Sequence, residues 1–163
     1  EIDTGDIILS KKMQIKETDN VGSLHDRMMY LGAFTIVEAI AKISSETVTY
    51  LPQSDERASP APKLNRENCK LDFQDDVINI HNKVRGLSPY PTSWTIDDKG
   101  NEFKIYQTSI ETIAHADPLG TWQTDGKTFM KVACKNGFLH LEELQMSGKR
   151  KMKIKDFLNG YKI

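Results

Sequence analysis

A mixed α and β fold in two parts is what this sequence predicts. Three observations carry it: a β-branched run followed by a long helical periodicity in residues 1–50, a proline-rich break at residues 51–63, and a helix feeding alternating strands with tight turns in residues 64–163. The first part reads as the closing strand and helix of a layered α/β domain, too small to enclose a core alone. The last part reads as a small OB-like β-barrel domain with an N-terminal helix.

Ile7, Ile8 and Leu9 form a short apolar run, and Met13 and Ile15 alternate with polar neighbours, so residues 6–16 read as an extended strand. Asp19 and Asn20 offer turn or N-cap chemistry. Leu24, Met28 and Leu31 then recur at helical spacing, and Val37, Ile40 and Ile43 continue it past Gly32, where a helix can bend or break. Residues 51–63 hold three of the six prolines and almost no apolar periodicity, which is the composition of a stiff connection between domains. Beyond it, Val77, Ile80, Val84 and Leu87 share one helical face. Asp72, Asp75 and Asp76 suit the positive end of that helix, and Gly86 can supply a left-handed C-terminal residue. Pro89 and Pro91 forbid continuation and hold Tyr90 in a turn that delivers Ser93 and Trp94 to a strand. Strands are predicted at residues 93–96, 103–113, 128–133 and 138–146, with hairpin signals at Asp97–Asn101 and Lys135–Gly137. Phe103 and Ile105 alternate with polar residues, and Leu139, Leu141 and Leu144 do so less strictly; one face is buried and one is wet.

Hydrophobic residues make up 38% and charged residues 28%, which leaves enough apolar surface for a core and argues against disorder. No apolar run approaches the roughly 20 residues needed to cross a bilayer, and no leader pattern opens the chain. Because the chain starts at Glu1 without a methionine and soon enters an apolar run, it reads as a cut piece of a longer protein. Cys69 and Cys134 have no C-x-x-C pairing and no histidine at ligand spacing, so buried thiols in a reducing, cytoplasmic setting are expected, with no metal. His25, His81, His115 and His140 are scattered and read as surface or satisfied core residues. A net charge of −1 hides an asymmetry: residues 1–146 carry 16 Lys and Arg against 22 Asp and Glu, and residues 147–163 carry 6 against 1. Such a tail suggests an anionic partner, with solvated surface as the plain alternative.

Arg85-Gly86-Leu87-Ser88-Pro89-Tyr90-Pro91-Thr92-Ser93-Trp94, preceded by Lys70-Leu71-Asp72-Phe73, resembles the signature that opens the C-terminal domain of the methionyl-tRNA formyltransferase family. Four other stretches fall in the order that this family shows. Ile2-Asp3-Thr4-Gly5-Asp6-Ile7-Ile8 resembles the end of its catalytic domain, and Gly22-Ser23-Leu24-His25-Asp26 the start of the closing helix. Ala61-Pro62-Lys63-Leu64 is similar to its linker, and Leu144 to Met152 to its last strand and basic turn. Together they cover nearly the whole chain. The helix-to-Pro-aromatic-Pro segment is specific, whereas Asp-Thr-Gly-Asp alone is weak.

The resemblance implies a two-domain enzyme with a Rossmann-like catalytic domain, of which residues 1–50 would be the C-terminal remnant. Residues 51–63 would be its linker, and residues 64–163 its OB-like C-terminal tRNA-binding domain. The implied reaction of translation initiation moves a formyl group from 10-formyltetrahydrofolate to the amino group of methionine on initiator tRNA. The family's active site joins an Asn and a His from upstream with the first Asp of the motif, here Asp3. Amine attack on a formyl carbon creates an oxyanion and a cationic nitrogen, so catalysis needs oriented donors and a proton route. Asp3 would orient the His and a water; without the resemblance it would read as a solvated acid. The expectation is a fragment that supplies tRNA binding and one catalytic Asp and is inactive alone.

Five of the seven residues from Lys149 to Lys155 are basic, with Met152 and Ile154 between them. In an extended chain the apolar pair would anchor to the barrel while Lys149, Arg150, Lys151, Lys153 and Lys155 meet phosphates. Lys63 and Arg66, where the family's linker runs beside the tRNA, would extend the track. Of the aromatics, Trp94 is expected in the core, and Trp122 is left open between core and base stacking. Two other functions fit less of the chain: a formyltransferase for a sugar nucleotide or other amine, and a standalone OB-type nucleic-acid-binding module.

Overall fold

The structure, a computed structural model, describes residues 3–54, 56 and 58–160. Ile2 of the first motif and Lys162 of the basic tail lie outside the described residues. The chain divides into two compact units, Glu1–Asp19 with Ser23–Lys63, and Asn20–Gly22 with Leu64–Ile163.

In the first unit the strand expected at residues 6–16 is not formed. Ile7 alone makes a bridge, antiparallel to Leu51, with N–H···O distances of 2.8 and 3.1 Å. Extended backbone becomes sheet only when a neighbour takes its N–H and C=O groups, and Leu51 is the one backbone ladder partner among the described residues. Helix α1 (Val21–Ser44) runs 24 residues without a break at Gly32, since a helical glycine costs only about 1 kcal/mol relative to alanine. An ion pair from Lys11 to Glu38 at 2.7 Å and a bond from the Arg27 guanidinium to the Gln14 carbonyl at 2.6 Å tie the extended segment to α1. The Asp19 carboxylate organises the turn between them. It accepts from the Lys16 N–H at 2.7 Å, from the Ser23 hydroxyl at 3.1 Å and from Arg27. The Lys16 N–H above all, and then Arg27, hold its pKa down at about 2. None of the residues of α1 is buried.

The second unit has a core of its own. Helix α2 (Val77–Leu87) buries Val77, Ile80, Val84 and Leu87, the predicted face. Gly86 lies inside this helix rather than ending it. The end comes at Ser88, with φ −94° and ψ 133°, because a residue before proline is pushed out of the helical region by the proline ring. The Ser88–Pro89 and Tyr90–Pro91 peptides are both cis. The strands are β1 (Ser93–Ile96), β2 (Glu102–Glu111), β3 (Trp122–Thr124), β4 (Met130–Cys134), β5 (Gly137–Met146) and β6 (Met152–Lys153), followed by helix α3 (Ile154–Gly160). All pairings are antiparallel in the order β1-β2-β5-β4-β3. On the edge of β5 opposite β2, β4 pairs with residues 137–140 and β6 with Glu143 and Leu144.

No pairing among the described residues joins β1 to β3, so the ladder is open and the mixed α and β prediction holds at the level of one antiparallel sheet. Packed on its inner face are Leu71 and α2, with Phe103, Ile105, Met130, Leu139, Leu141 and Leu144 from the sheet and Ile154, Phe157 and Leu158 from α3. Three elements escape the sequence reading, the two-residue β6 among them. Strand β3 is too short for a period, and α3 buries only three residues over two turns. Both predicted turns form: the Asp97 carboxylate takes the N–H groups of Lys99 and Asn101 at 3.0 and 2.8 Å, and Asn136 adopts φ 65° before Gly137.

Candidate functional site

Asp3 sits in a turn of the first unit with φ 67° and is exposed. Its backbone carbonyl, with that of Gly5, accepts from the Gln53 amide at 3.0 and 2.8 Å. That bond fixes the backbone and leaves the carboxylate facing water. Among the described residues no hydrogen bond or ion pair engages that carboxylate, so neither the histidine nor the asparagine implied by the resemblance is brought to it. Lys63 is exposed in residues 58–65, which carry no regular secondary structure.

In the second unit Arg66, Lys149 and Lys151 of the predicted site lie against side chains of the outer face of the sheet. Strand β2 alternates strictly at its start: Phe103 and Ile105 are fully buried, while Glu102, Lys104 and Tyr106 lie on the other side. Register places Trp94 of β1 opposite Lys104, and Lys104 opposite Gln145 of β5, so the three side chains form one cross-strand row. Residues 69–71 run parallel to β1, with Leu71 N–H on the Trp94 carbonyl at 2.9 Å and Trp94 N–H on the Cys69 carbonyl at 3.2 Å. That pairing brings Arg66 and Lys70 over the indole.

Trp94 is therefore outside the core, contrary to the expectation from the sequence. Its indole N–H donates to the Arg66 carbonyl at 2.6 Å, the Arg66 guanidinium lies 4.1 Å from the ring centre, and the Lys70 ammonium lies 5.4 Å away. Arg66 also pairs with Glu102. Trp122 takes the opposite role and packs on the core, 5.7 Å from Phe103 and 6.3 Å from Phe73 between ring centres. Counting apolar residues could not tell the two apart, because only the pairing of residues 69–71 with β1 decides which ring is covered by what.

The basic tail is not extended throughout. Residues 147–149 make a turn closed by Lys149 N–H on the Met146 carbonyl at 2.9 Å, with Gly148 at φ 74°. Met152 and Lys153 form β6, and α3 begins at Ile154. Even so, the apolar pair anchors as expected: Ile154 is in the core and Met152 packs against it. Lys149, Arg150, Lys151, Lys153 and Lys155 are all exposed. The Lys151 ammonium bonds Glu143 at 2.9 Å and lies 5.0 Å from the Tyr106 ring centre. Gln145 links these parts, accepting from the Tyr106 hydroxyl at 2.9 Å and donating to the Lys149 carbonyl at 2.8 Å.

The histidines are held singly. His81 meets the Thr108 hydroxyl at 2.8 Å, and burial above all, then Arg85, lowers its pKa. His140 and Lys131 both reach the Glu111 carboxylate at 2.9 Å, which lowers the pKa of that acid. His115 is nearly buried against Phe138, with Nε2 at 2.8 Å from the Cys134 carbonyl. Cys69 and Cys134 are buried and unpaired, as predicted. No group of three His, Cys, Asp or Glu among the described residues is arranged to hold a metal ion, and no helix among them is long and apolar enough to cross a membrane.

Residues 63–162 match the family model described as formyl transferase, C-terminal domain. Proteins named methionyl-tRNA formyltransferase from Phocaeicola vulgatus, Parabacteroides distasonis and Azobacteroides pseudotrichonymphae are 39%, 40% and 41% identical over 98–99% of this chain. The chain spans about half the length of these curated relatives, 52–53%. Among solved structures, HypX from Aquifex aeolicus in complex with tetrahydrofolic acid matches with a TM-score of 0.65 at 17% identity, over 98% of this chain and 29% of that one. The N-formyltransferase from Helicobacter canadensis, in complex with folinic acid and dTDP-3-aminofucose, matches with a TM-score of 0.66 at 19% identity, over 93% and 52% of the two chains. These two likenesses bear on the fold.

Proposed function

The chain belongs to the formyl transferase C-terminal domain family, and from that premise we propose that it is the C-terminal half of a methionyl-tRNA formyltransferase of the cytoplasm. The reaction moves the formyl group of 10-formyltetrahydrofolate onto the amino group of methionine carried by initiator tRNA, in translation initiation. The single observation that carries this reading is identity near 40% to relatives of that name along almost the whole chain. In it, residues 1–50 close a Rossmann-like catalytic domain, residues 51–63 are the linker, and residues 64–163 are an OB-like tRNA-binding domain whose sheet is left open between β1 and β3.

Asp3 is the catalytic residue of this half. An exposed carboxylate on a turn pinned by Gln53 is free to meet a histidine contributed from elsewhere in the protein, and its charge stabilises the imidazolium formed when that imidazole takes up the amine proton. Formyl-folate does not fit the described residues of the first unit. The concavity there is lined mostly by apolar side chains, Leu9, Met13, Ile15, Leu24, Met28 and Leu31, with Ser10, Lys11 and Thr35 as its polar ones, fewer than the convergent set of donors and acceptors that a pterin ring needs. On this reading most of the co-substrate site belongs to the rest of the protein.

Transfer assays with the whole protein test the reading. Asp3→Asn is expected to lower turnover with formyl-folate and charged initiator tRNA by about 100-fold or more, with tRNA affinity unchanged. Full turnover in that variant would remove Asp3 from the site. Transfer to an amino-sugar nucleotide in place of tRNA would move the protein to the sugar-modifying class. Lys149→Glu with Lys151→Glu is expected to weaken tRNA binding, and the present chain alone should show no transfer.

A further inference from the structure

The two basic stretches that the sequence separates by about eighty residues are joined in the second unit by a side chain that neither stretch contains. We propose that Lys104 binds an RNA phosphate and links Arg66 and Lys70 on one side to Lys149 and Lys151 on the other, making one track across the outer face of β1, β2 and β5. The inference rests on the proposed tRNA-binding role of this unit and deepens it.

Four observations support the track. Lys104 stands between Trp94 and Gln145 in the cross-strand row, and each of those neighbours is attached to one basic stretch: Trp94 through Arg66, and Gln145 through the Lys149 carbonyl. Its ammonium is exposed and has no ion pair among the described residues, unlike Arg66 and Lys151, which pair with Glu102 and Glu143. Lys104 also lines a concavity shared with Glu102, Gln145, Met146, Ser147 and Gly148, so an anion there would contact the ammonium from inside a recess. Finally, the cations on either side are held against rings, Arg66 on Trp94 and Lys151 on Tyr106. A cation laid on an aromatic face keeps its charge but loses much of its freedom. Less ordering is then left for RNA binding to impose.

Glu102 is the one acid in the recess, and its pairing with Arg66 offsets its repulsion of a phosphate. Trp94 and Tyr106 are positioning residues on this reading. They direct cations rather than stack bases, since each ring already holds a cation over it. RNA suits the surface better than an acidic protein, because cations set along three adjacent strands can meet successive backbone phosphates without regard to sequence.

The test is the affinity of the protein for initiator tRNA measured over a series of salt concentrations. Lys104→Gln is expected to weaken binding several-fold and to reduce the slope of log affinity against log salt by about one, the signature of a lost phosphate contact. Lys104→Arg should restore both. Trp94→Leu should reduce the slope through Arg66, with unchanged circular dichroism. The reference is Lys127→Gln, in a turn of another part of the sheet, which should leave the slope alone. If Lys104→Gln matches that reference while Lys149→Glu with Lys151→Glu still weakens binding, the track is wrong and the tRNA-binding role stands. If the unaltered protein has no salt-dependent affinity for tRNA, both fall.

Discussion

Helices α1 and α2 carry the same kind of sequence signal and meet different fates. Both place apolar residues at helical spacing, yet α2 buries four of its eleven residues and α1 none of its twenty-four. Phe34 is 76% exposed and Val37 68%, whereas Val84 is fully buried in the core of the second unit. Amphipathic periodicity therefore states that a helix has a partner without saying that the partner is in the same unit. In the second unit that partner is the six-stranded sheet; in the first, the extended segment at residues 4–16 reaches α1 through one ion pair, a hydrogen bond from Arg27 to the Gln14 carbonyl and a mostly apolar concavity.

The sharpest way to break this contrast is to truncate one apolar residue in each unit. Leu144→Ala removes a fully buried side chain at the crossing of β2, β5 and β6 and should cost about 2–5 kcal/mol in denaturant unfolding of the second unit. Phe34→Ala in α1 should cost no more than about 0.5 kcal/mol. Equal losses would mean that α1 is covered after all.

A second, smaller effect is expected at Gly137, where the turn into β5 passes the end of β2. A β-carbon there would stand 2.1 Å from the Glu111 carbonyl oxygen, and the backbone has φ 158°. Gly137→Ala should therefore lower stability by about 1–3 kcal/mol through forced movement of the backbone. Gly32→Ala in α1, with open space around it, should instead raise helix stability by up to about 1 kcal/mol.

The smallest effect concerns Asp19, the acid that organises the turn before α1. Its folded pKa of about 2 lies below the ordinary carboxylate value near 4. A depressed carboxylate contributes stability that is fully present above about pH 4 and is lost as the pH falls toward about 2. Asp19→Asn should thus lower the helical signal at neutral pH, and the difference from the unaltered chain should shrink steadily between about pH 4 and 2. A constant difference across that range would show that charge on Asp19 contributes nothing.

Much of the second unit was legible in the sequence, and for local reasons. The spacing of Val77, Ile80, Val84 and Leu87 marked α2, the proline pair marked its end, and Phe103 and Ile105 gave the inner face of β2. What stayed hidden depends on contacts between distant segments. The exposure of Trp94 follows from the pairing of residues 69–71 with β1, and the place of Lys104 follows from cross-strand register. Neither has a periodicity of its own. Strand 6–16 failed for the reverse reason: the local pattern is present, but a strand is defined by its neighbours. For the candidate site, the cations at 66 and 149–155 were legible as charge, while the residue that joins them was not.

The two cysteines give the molecule a practical property. Burial raises the Cys134 thiol to about 11, and both sulfhydryls are covered by protein, so in the native state at neutral pH they should be nearly inert to maleimides. A single cysteine placed on the outer sheet would then carry a dye alone, without removal of the native pair. The native pair would report only on global opening, each becoming labelled at the rate at which its surroundings come apart.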